Sequence, residues 1–265
     1  MIDENYCRTR FNNWYCSWNY ACVIPSRIVE NLVEGGVDIV ELGIPFSDPI
    51  ADGPIIQAAT VRALKAGTTP KKVLKIAEEI KDNNKIPLII MTYYNPIFKM
   101  QLRKFFESAK ACGVDGVIVP DLPIEEADEY KKFADANGID TIFLAAPSTS
   151  ISRLREILPY TSGFLYLVSV FGVTGTREHV QTPTLTLIKR TLSVVRGRVP
   201  LSVGFGISKP EHVKIILQKG ADAVIVGSGF VEIVERKKKN GEEMLKASKE
   251  YARQLKEATI KKLNV

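Results

Sequence analysis
From about residue 27 onward, short β-branched apolar runs alternate with longer segments whose apolar positions recur every three or four residues. The short runs are apolar throughout rather than alternating, which predicts strands buried on both faces at Val37–Leu42, Pro87–Thr92, Gly116–Val119, Thr141–Ala145, Phe164–Ser169, Leu201–Val203 and Ala223–Val226. The longer segments predict helices near Lys71–Asn83, Leu102–Cys112, Glu125–Asn137, Ile151–Leu158, Thr184–Arg196 and Pro210–Lys219, with a long final helix from Gly241. Several helices end alike: "EGGVD", "ACGVDG", "ANGID" and "QKGADA" each place a glycine at a helix C-cap just before the next strand.

This alternation predicts an α/β fold with parallel strands joined by right-handed helical crossovers. One further strand from the first 25 residues would complete a (β/α)8 barrel. An open doubly wound sheet is the competing architecture, and the lack of an early G-x-G-x-x-G after a first strand weighs against it. No linker or compositional break divides residues 27–265, so residues 1–265 are expected to form a single domain. Residues 1–25 stand apart within it, because both tryptophans and three of the four cysteines fall in the first 22 residues.

Composition changes this picture little. The net charge of +6 is modest and its cations are dispersed, which argues against a nucleic-acid partner. The densest basic cluster, Arg236 to Lys239, is expected to be a solvated helix end. No run reaches the roughly 18 apolar residues of a membrane span, and no signal pattern opens the chain, so a cytoplasmic location is expected. The cysteine spacing matches no zinc signature and predicts reduced thiols. With only His179 and His212 present, acid/base chemistry must come from carboxylates, tyrosine or lysine. His179 falls in a polar loop, and His212 is expected on the surface of the helix from Pro210.

In a barrel, ligands meet the loops after the strands. "IVELGIPFSDPIADGP" places Glu41 at the end of an apolar run, where a charge is costly unless it is paired, neutralised or useful. Asp48 and Asp52 follow in a loop stiffened by Pro45, Pro49 and Pro54. Capped turns, a metal site and an acid/base pair all remain open for these acids, although no histidine or further acid supports a metal. "VGFGIS" brings Gly204, Phe205 and Gly206, with Ser208 as a candidate helix cap, and "VGSGF" brings Gly227 and Ser228. Two glycine loops opening onto helix N-termini after the last two strands suit a phosphate. "GVTGTRE", with Thr174 and Gly175, has the make-up of a lid.

Together with "MTYYNP", "PDLP", "FLAAP" and "YLVSVFGVTG", these loops closely resemble, in the same order, the α subunits of tryptophan synthases, the indole-3-glycerol-phosphate lyases. The match runs from residue 27 to about 260. The resemblance implies a TIM barrel and retro-aldol cleavage of indole-3-glycerol phosphate to indole and glyceraldehyde 3-phosphate. It implies no metal or cofactor in this chain, with pyridoxal phosphate in a partner β subunit, and an α2β2 heterotetramer. It places Glu41 and Asp52 on the catalytic acids. It assigns Tyr166, Thr174, Gly175, Phe205, Gly206, Gly227 and Ser228 to the substrate, and Asp48 and Pro49 to the partner interface. A free-standing indole-releasing lyase and a weakly catalytic, partner-activating phosphate-binding barrel are the alternatives.

One departure is severe. Where the family has an apolar strand ending in a T-A-G-D-P-like turn, Asn12–Ser26 read "NNWYCSWNYACVIPS". If Ser17 is encoded AGC, Ser17 to Ala21 read one nucleotide later can spell Ala-Gly-x-x-Pro. The segment is thus a candidate frame-shifted first strand; the alternative is real divergence, with Tyr20–Ile24 as a substitute strand.

Overall fold
A computed structural model describes residues 14–19, 25–168, 182–204 and 206–260. The strands are β1 (Trp14–Asn19), β2 (Ile39–Gly43), β3 (Leu88–Met91), β4 (Gly116–Ile118), β5 (Asp140–Ile142), β6 (Leu144–Ala145), β7 (Leu165–Val168), β8 (Leu201–Gly204) and β9 (Ala223–Val226). The α-helices are α1 (Pro25–Glu34), α2 (Pro54–Lys65), α3 (Pro70–Asn83), α4 (Tyr94–Met100), α5 (Leu102–Ala111), α6 (Asp128–Ala136), α7 (Ile151–Ile157), α8 (Thr182–Val195), α9 (Pro210–Gln218), α10 (Ser228–Lys237) and α11 (Gly241–Thr259).

Every strand pairing is parallel, in the order β5-β4-β3-β2-β1-β9-β8-β7-β6. The two ends of that order are one strand broken at Phe143, whose carbonyl accepts from the Tyr166 N–H at 3.0 Å. The sheet therefore returns on itself as a TIM barrel with eight strand positions, the predicted Thr141–Ala145 strand filling one of them in two pieces.

The first strand position is occupied. β1 lies between β2 and β9, with Ser17 opposite both Val40 and Val226. It runs over Trp14–Asn19, earlier than the expected substitute at Tyr20–Ile24, which lies outside the described residues. A parallel ladder uses main-chain N–H and C=O groups alone, so an atypical sequence can fill the slot.

Alternation along each strand separates two cores. Val40, Leu42, Leu88, Ile90, Val117, Leu165, Leu167, Val203 and Val224 face the surrounding helices. Ile39, Ile89, Met91, Ile118, Tyr166 and Ile225 fill the barrel interior. Each buried aliphatic contributes roughly 1.5–3 kcal/mol, so this two-sided burial outweighs the polar departures at the strand ends.

Helix starts follow the sequence chemistry: Pro54, Pro70 and Pro210 open helices, and the Thr69 hydroxyl accepts from the Lys72 N–H at 3.3 Å. The four repeated glycine stops, Gly36, Gly113, Gly138 and Gly220, all have positive φ (95°, 76°, 61° and 98°).

Three local expectations are corrected. His212 is 1% exposed, because the inner face of α9 is the 212, 213, 216, 217 stripe and not the opposite one. Lys209, not Ser208, precedes α9, and no side chain caps it. The predicted Glu125–Asn137 helix is a 3-10 turn at Ile124–Glu126 followed by α6. The basic cluster is a solvated helix end as expected, with Arg236, Lys237 and Lys238 paired to Glu232, Glu243 and Glu235.

Candidate active site
Glu41 shares the inward parity of Ile39 on β2, opposite Ile89 of β3, and has no exposed surface. A carboxyl group at this depth can exchange a proton with a bound ligand with little competition from water.

The loop after β2 then carries its two aspartates in opposite directions. The β2–β3 pairing extends into it, since Ile44 N–H donates to the Met91 carbonyl at 2.9 Å. Asp48 turns outward and accepts from the Ser47 hydroxyl at 2.6 Å, beside half-buried Pro49 and Ile50, which is 81% exposed. Asp52 turns inward to 9% exposure, its N–H donating to the Pro49 carbonyl at 3.2 Å and its carbonyl accepting from Gln57 Nε2 at 2.9 Å. Burial pushes the Asp52 carboxyl up to about 6, partly offset by the Tyr93 hydroxyl beside it. Asp52 Oδ2 is buried without a hydrogen-bond partner among the described residues, leaving an acceptor open to a ligand N–H.

Tyr93 sits between β3 and α4, is 2% exposed, and takes the Ala51 N–H on its hydroxyl at 3.0 Å. Its ring lies 5.5 Å from that of Phe46. Asp121 of "PDLP" ties the next loop in by accepting from the Tyr94 N–H at 2.9 Å. The loops after β2, β3 and β4 are thus fastened to one another by polar contacts of Tyr93 and Asp121, residues that motif reading quoted without assigning a role.

Across the barrel, Tyr166 on β7 is buried with inward parity and lies over Gly204 at the end of β8. Gly206 follows with φ +74°, a left-handed backbone that glycine adopts freely. Gly227 precedes α10 and Ser228 is its first residue; the Gly227 carbonyl accepts from Phe230 N–H at 3.1 Å and Val231 N–H at 3.2 Å. The first N–H groups of that helix have no intrahelical acceptor, which is the chemistry of an anion cradle.

Tyr251 on α11 supports both glycine loops from behind. Its hydroxyl donates to the Ser208 carbonyl at 2.8 Å, and its ring packs 4.8 Å from Phe230 against Gly229, where a Cβ would be 2.3 Å from the hydroxyl oxygen. Sequence reasoning missed Tyr251, whose only signal is an aromatic residue in a polar helix. Glu41, Asp52, Tyr166, Gly206, Gly227 and Ser228 therefore all belong to barrel strands or to the loops and helix start that follow their C-terminal ends. Thr174, Gly175, Phe205 and His179 lie outside the described residues.

Comparison with known proteins adds an independent line. The family model described as tryptophan synthase alpha chain matches residues 23–260. The tryptophan synthase alpha chain of Methanoregula boonei is 45% identical over 232 residues, covering 88% of this chain and 87% of its own. That of Methanosarcina barkeri is 47% identical over 233 residues, covering 88% and 86%. Among solved structures, one of the tryptophan synthase a2b2 complex of Pyrococcus furiosus superposes with a TM-score of 0.84 at 39% identity, covering 92% of this chain and 97% of that one. The barrel, its loop chemistry and these matches agree: the chain belongs to the tryptophan synthase alpha chain family.

Proposed function
We infer that this chain is the carbon–carbon lyase of tryptophan biosynthesis that cleaves indole-3-glycerol phosphate to indole and glyceraldehyde 3-phosphate. The observation that carries the reading is a fully buried Glu41 on β2 and an inward Asp52 with an open Oδ2 acceptor in the loop that follows, on a barrel whose β8 and β9 end in two glycine loops.

Indole is a poor carbanion leaving group, so ring carbon C3 is protonated before the C–C bond breaks. Glu41 delivers that proton. Positive charge then develops at the ring nitrogen, and the Asp52 carboxylate accepts the ring N–H and stabilises it. Glu41, now ionised, takes the proton of the side-chain hydroxyl. The bond from C3 to the side-chain carbinol carbon then breaks as the carbinol carbon becomes the aldehyde, the bonding electrons return to the ring and neutralise its positive nitrogen, and atoms and charge balance. Tyr166 lines the ring pocket beside Gly204. The phosphate is held by backbone donors at Gly206 and Gly227 and by the Ser228 N–H and hydroxyl, with Phe205, Thr174 and Gly175 completing the enclosure.

Every step uses protein groups of this chain; pyridoxal phosphate serves the β subunit that consumes the indole. Asp48 and Pro49 belong to the docking face for that subunit, whose apolar contacts include Ile50 in the loop after β2 and Phe98 on α4, 81% and 64% exposed. The whole chain works as one barrel domain in the cytoplasm. The test is indole release from indole-3-glycerol phosphate with and without the β subunit. Cleavage stimulated by the partner is the expected result; partner activation with no cleavage would reduce the chain to a regulatory subunit.

A further inference from the structure
We propose that Tyr93 is the positioning residue of this site, holding the Asp52 carboxylate in the orientation from which it meets the substrate's ring N–H. The inference rests on the assignment of Asp52 under Proposed function.

Three constraints leave the Tyr93 side chain little freedom. It is 2% exposed, its ring packs 5.5 Å from Phe46 at 36°, and its hydroxyl oxygen accepts the Ala51 N–H at 3.0 Å. A phenol has one proton to donate. The Ala51 bond sets the hydroxyl one residue from Asp52, so with Ala51 already a donor to the oxygen, the phenol proton is the one available to the Asp52 carboxylate, whose ionised form the hydroxyl favours. One hydroxyl on the β3 side thus holds the main chain of Ala51 and acts on the side chain of the next residue, Asp52.

Among the described residues, Tyr93 is the ionisable group that acts on Asp52, while Asp52 and Asp121 act on Tyr93. Burial first, then the Asp52 charge, holds the Tyr93 proton well above the ordinary phenol range, so the group remains a donor at every working pH. Removing the hydroxyl leaves burial of Asp52 without this offset, and its carboxyl must move further up.

The experiment titrates the Asp52 side-chain carboxyl carbon by NMR in the full chain, assigned with Asp52→Asn. The midpoint near 6 is expected to rise by about one unit in Tyr93→Phe. Site-specific 3-fluorotyrosine at position 93 makes a stronger donor and should move the midpoint down, which keeps the test readable if Tyr93→Phe does not fold. With the β subunit present, that one-unit rise should lower kcat in Tyr93→Phe about twofold at pH 7 and about fivefold at pH 6, leave KM within about twofold, and let the loss vanish at alkaline pH. An unmoved midpoint in both variants, or a loss that is the same at every pH, overturns the proposal. Full turnover by Asp52→Asn would instead remove Asp52 from the chemistry and leave the titration result standing.

Discussion

The Tyr166 hydroxyl stands over the α-carbon of Gly204: a Cβ built on residue 204 would lie 2.1 Å from the hydroxyl oxygen and 2.6 Å from Cζ. Two strands of the barrel are therefore matched on a diagonal of their ladder, where Tyr166 pairs with Ser202 and Gly204 with Val168: a large side chain on β7 covers a missing one on β8. Gly204→Ala forces the ring to move and should destabilise the fold by about 1–3 kcal/mol while slowing indole release. In the double variant with Tyr166→Ala the stability losses should fall short of their sum by at least about 1 kcal/mol, as denaturant unfolding would show. Simple additivity would mean that the two residues do not oppose each other.

Asp52 should trade stability for function. Burial pushes its folded carboxyl up to about 6, above the ordinary carboxylate range, so the folded state holds the proton more tightly than the unfolded chain. The stability this contributes is present below the unfolded value and is lost as pH rises through 6. At pH 7.5, Asp52→Asn is therefore expected to be more stable than the parent by roughly 1–3 kcal/mol, while its cleavage rate collapses. The parent kcat/KM should rise with pH through a midpoint near 6. A variant less stable than the parent at that pH contradicts the burial argument.

Tyr251→Phe keeps the ring on Gly229 and Phe230 but removes the bond to the Ser208 carbonyl. If Tyr251 steadies the phosphate loops, KM for the substrate should rise about 3- to 10-fold with kcat nearly unchanged, the signature of lost uniform binding. Steady-state kinetics at saturating β subunit would decide it, and an unaltered KM would leave Tyr251 as packing alone.

The first strand can be tested by its backbone. Ser17 pairs on both sides, with β2 and with β9, so Ser17→Pro removes a ladder donor from a central strand. A large loss of thermal stability is expected; an unchanged midpoint would show that Trp14–Asn19 does not form the ladder. The gene offers a separate check. An AGC codon at Ser17 is required by the frame-shift reading, and any other serine codon ends it.

Much of this was legible in the sequence because it depends on local chemistry. Strand positions follow from apolar runs, the glycine stops from positive φ, and Glu41 from a charge placed where packing calls for an aliphatic side chain. What escaped depends on tertiary neighbours. The tyrosine hydroxyls at 93 and 251 act on main-chain groups 42 and 43 residues away, a relationship no spacing rule encodes. The helix at Pro54–Lys65 was not foreseen because its apolar face merges with the proline loop that precedes it. A strand within the first 25 residues is expected and found, but its place at Trp14–Asn19 is not legible, because that stretch mixes serine, asparagine and cysteine with aromatics and only its partners on either side select it.

The central claim is that Glu41 carries the proton that breaks the carbon–carbon bond. It is tested most directly by indole release from indole-3-glycerol phosphate in the presence of the β subunit, comparing the parent chain with Glu41→Gln, alongside the binding of glycerol phosphate to each. The isosteric amide cannot carry a proton, so turnover should fall by about a thousandfold or more while phosphate-ligand affinity stays nearly the same. Glu41→Gln turning over at a rate close to the parent would contradict the account.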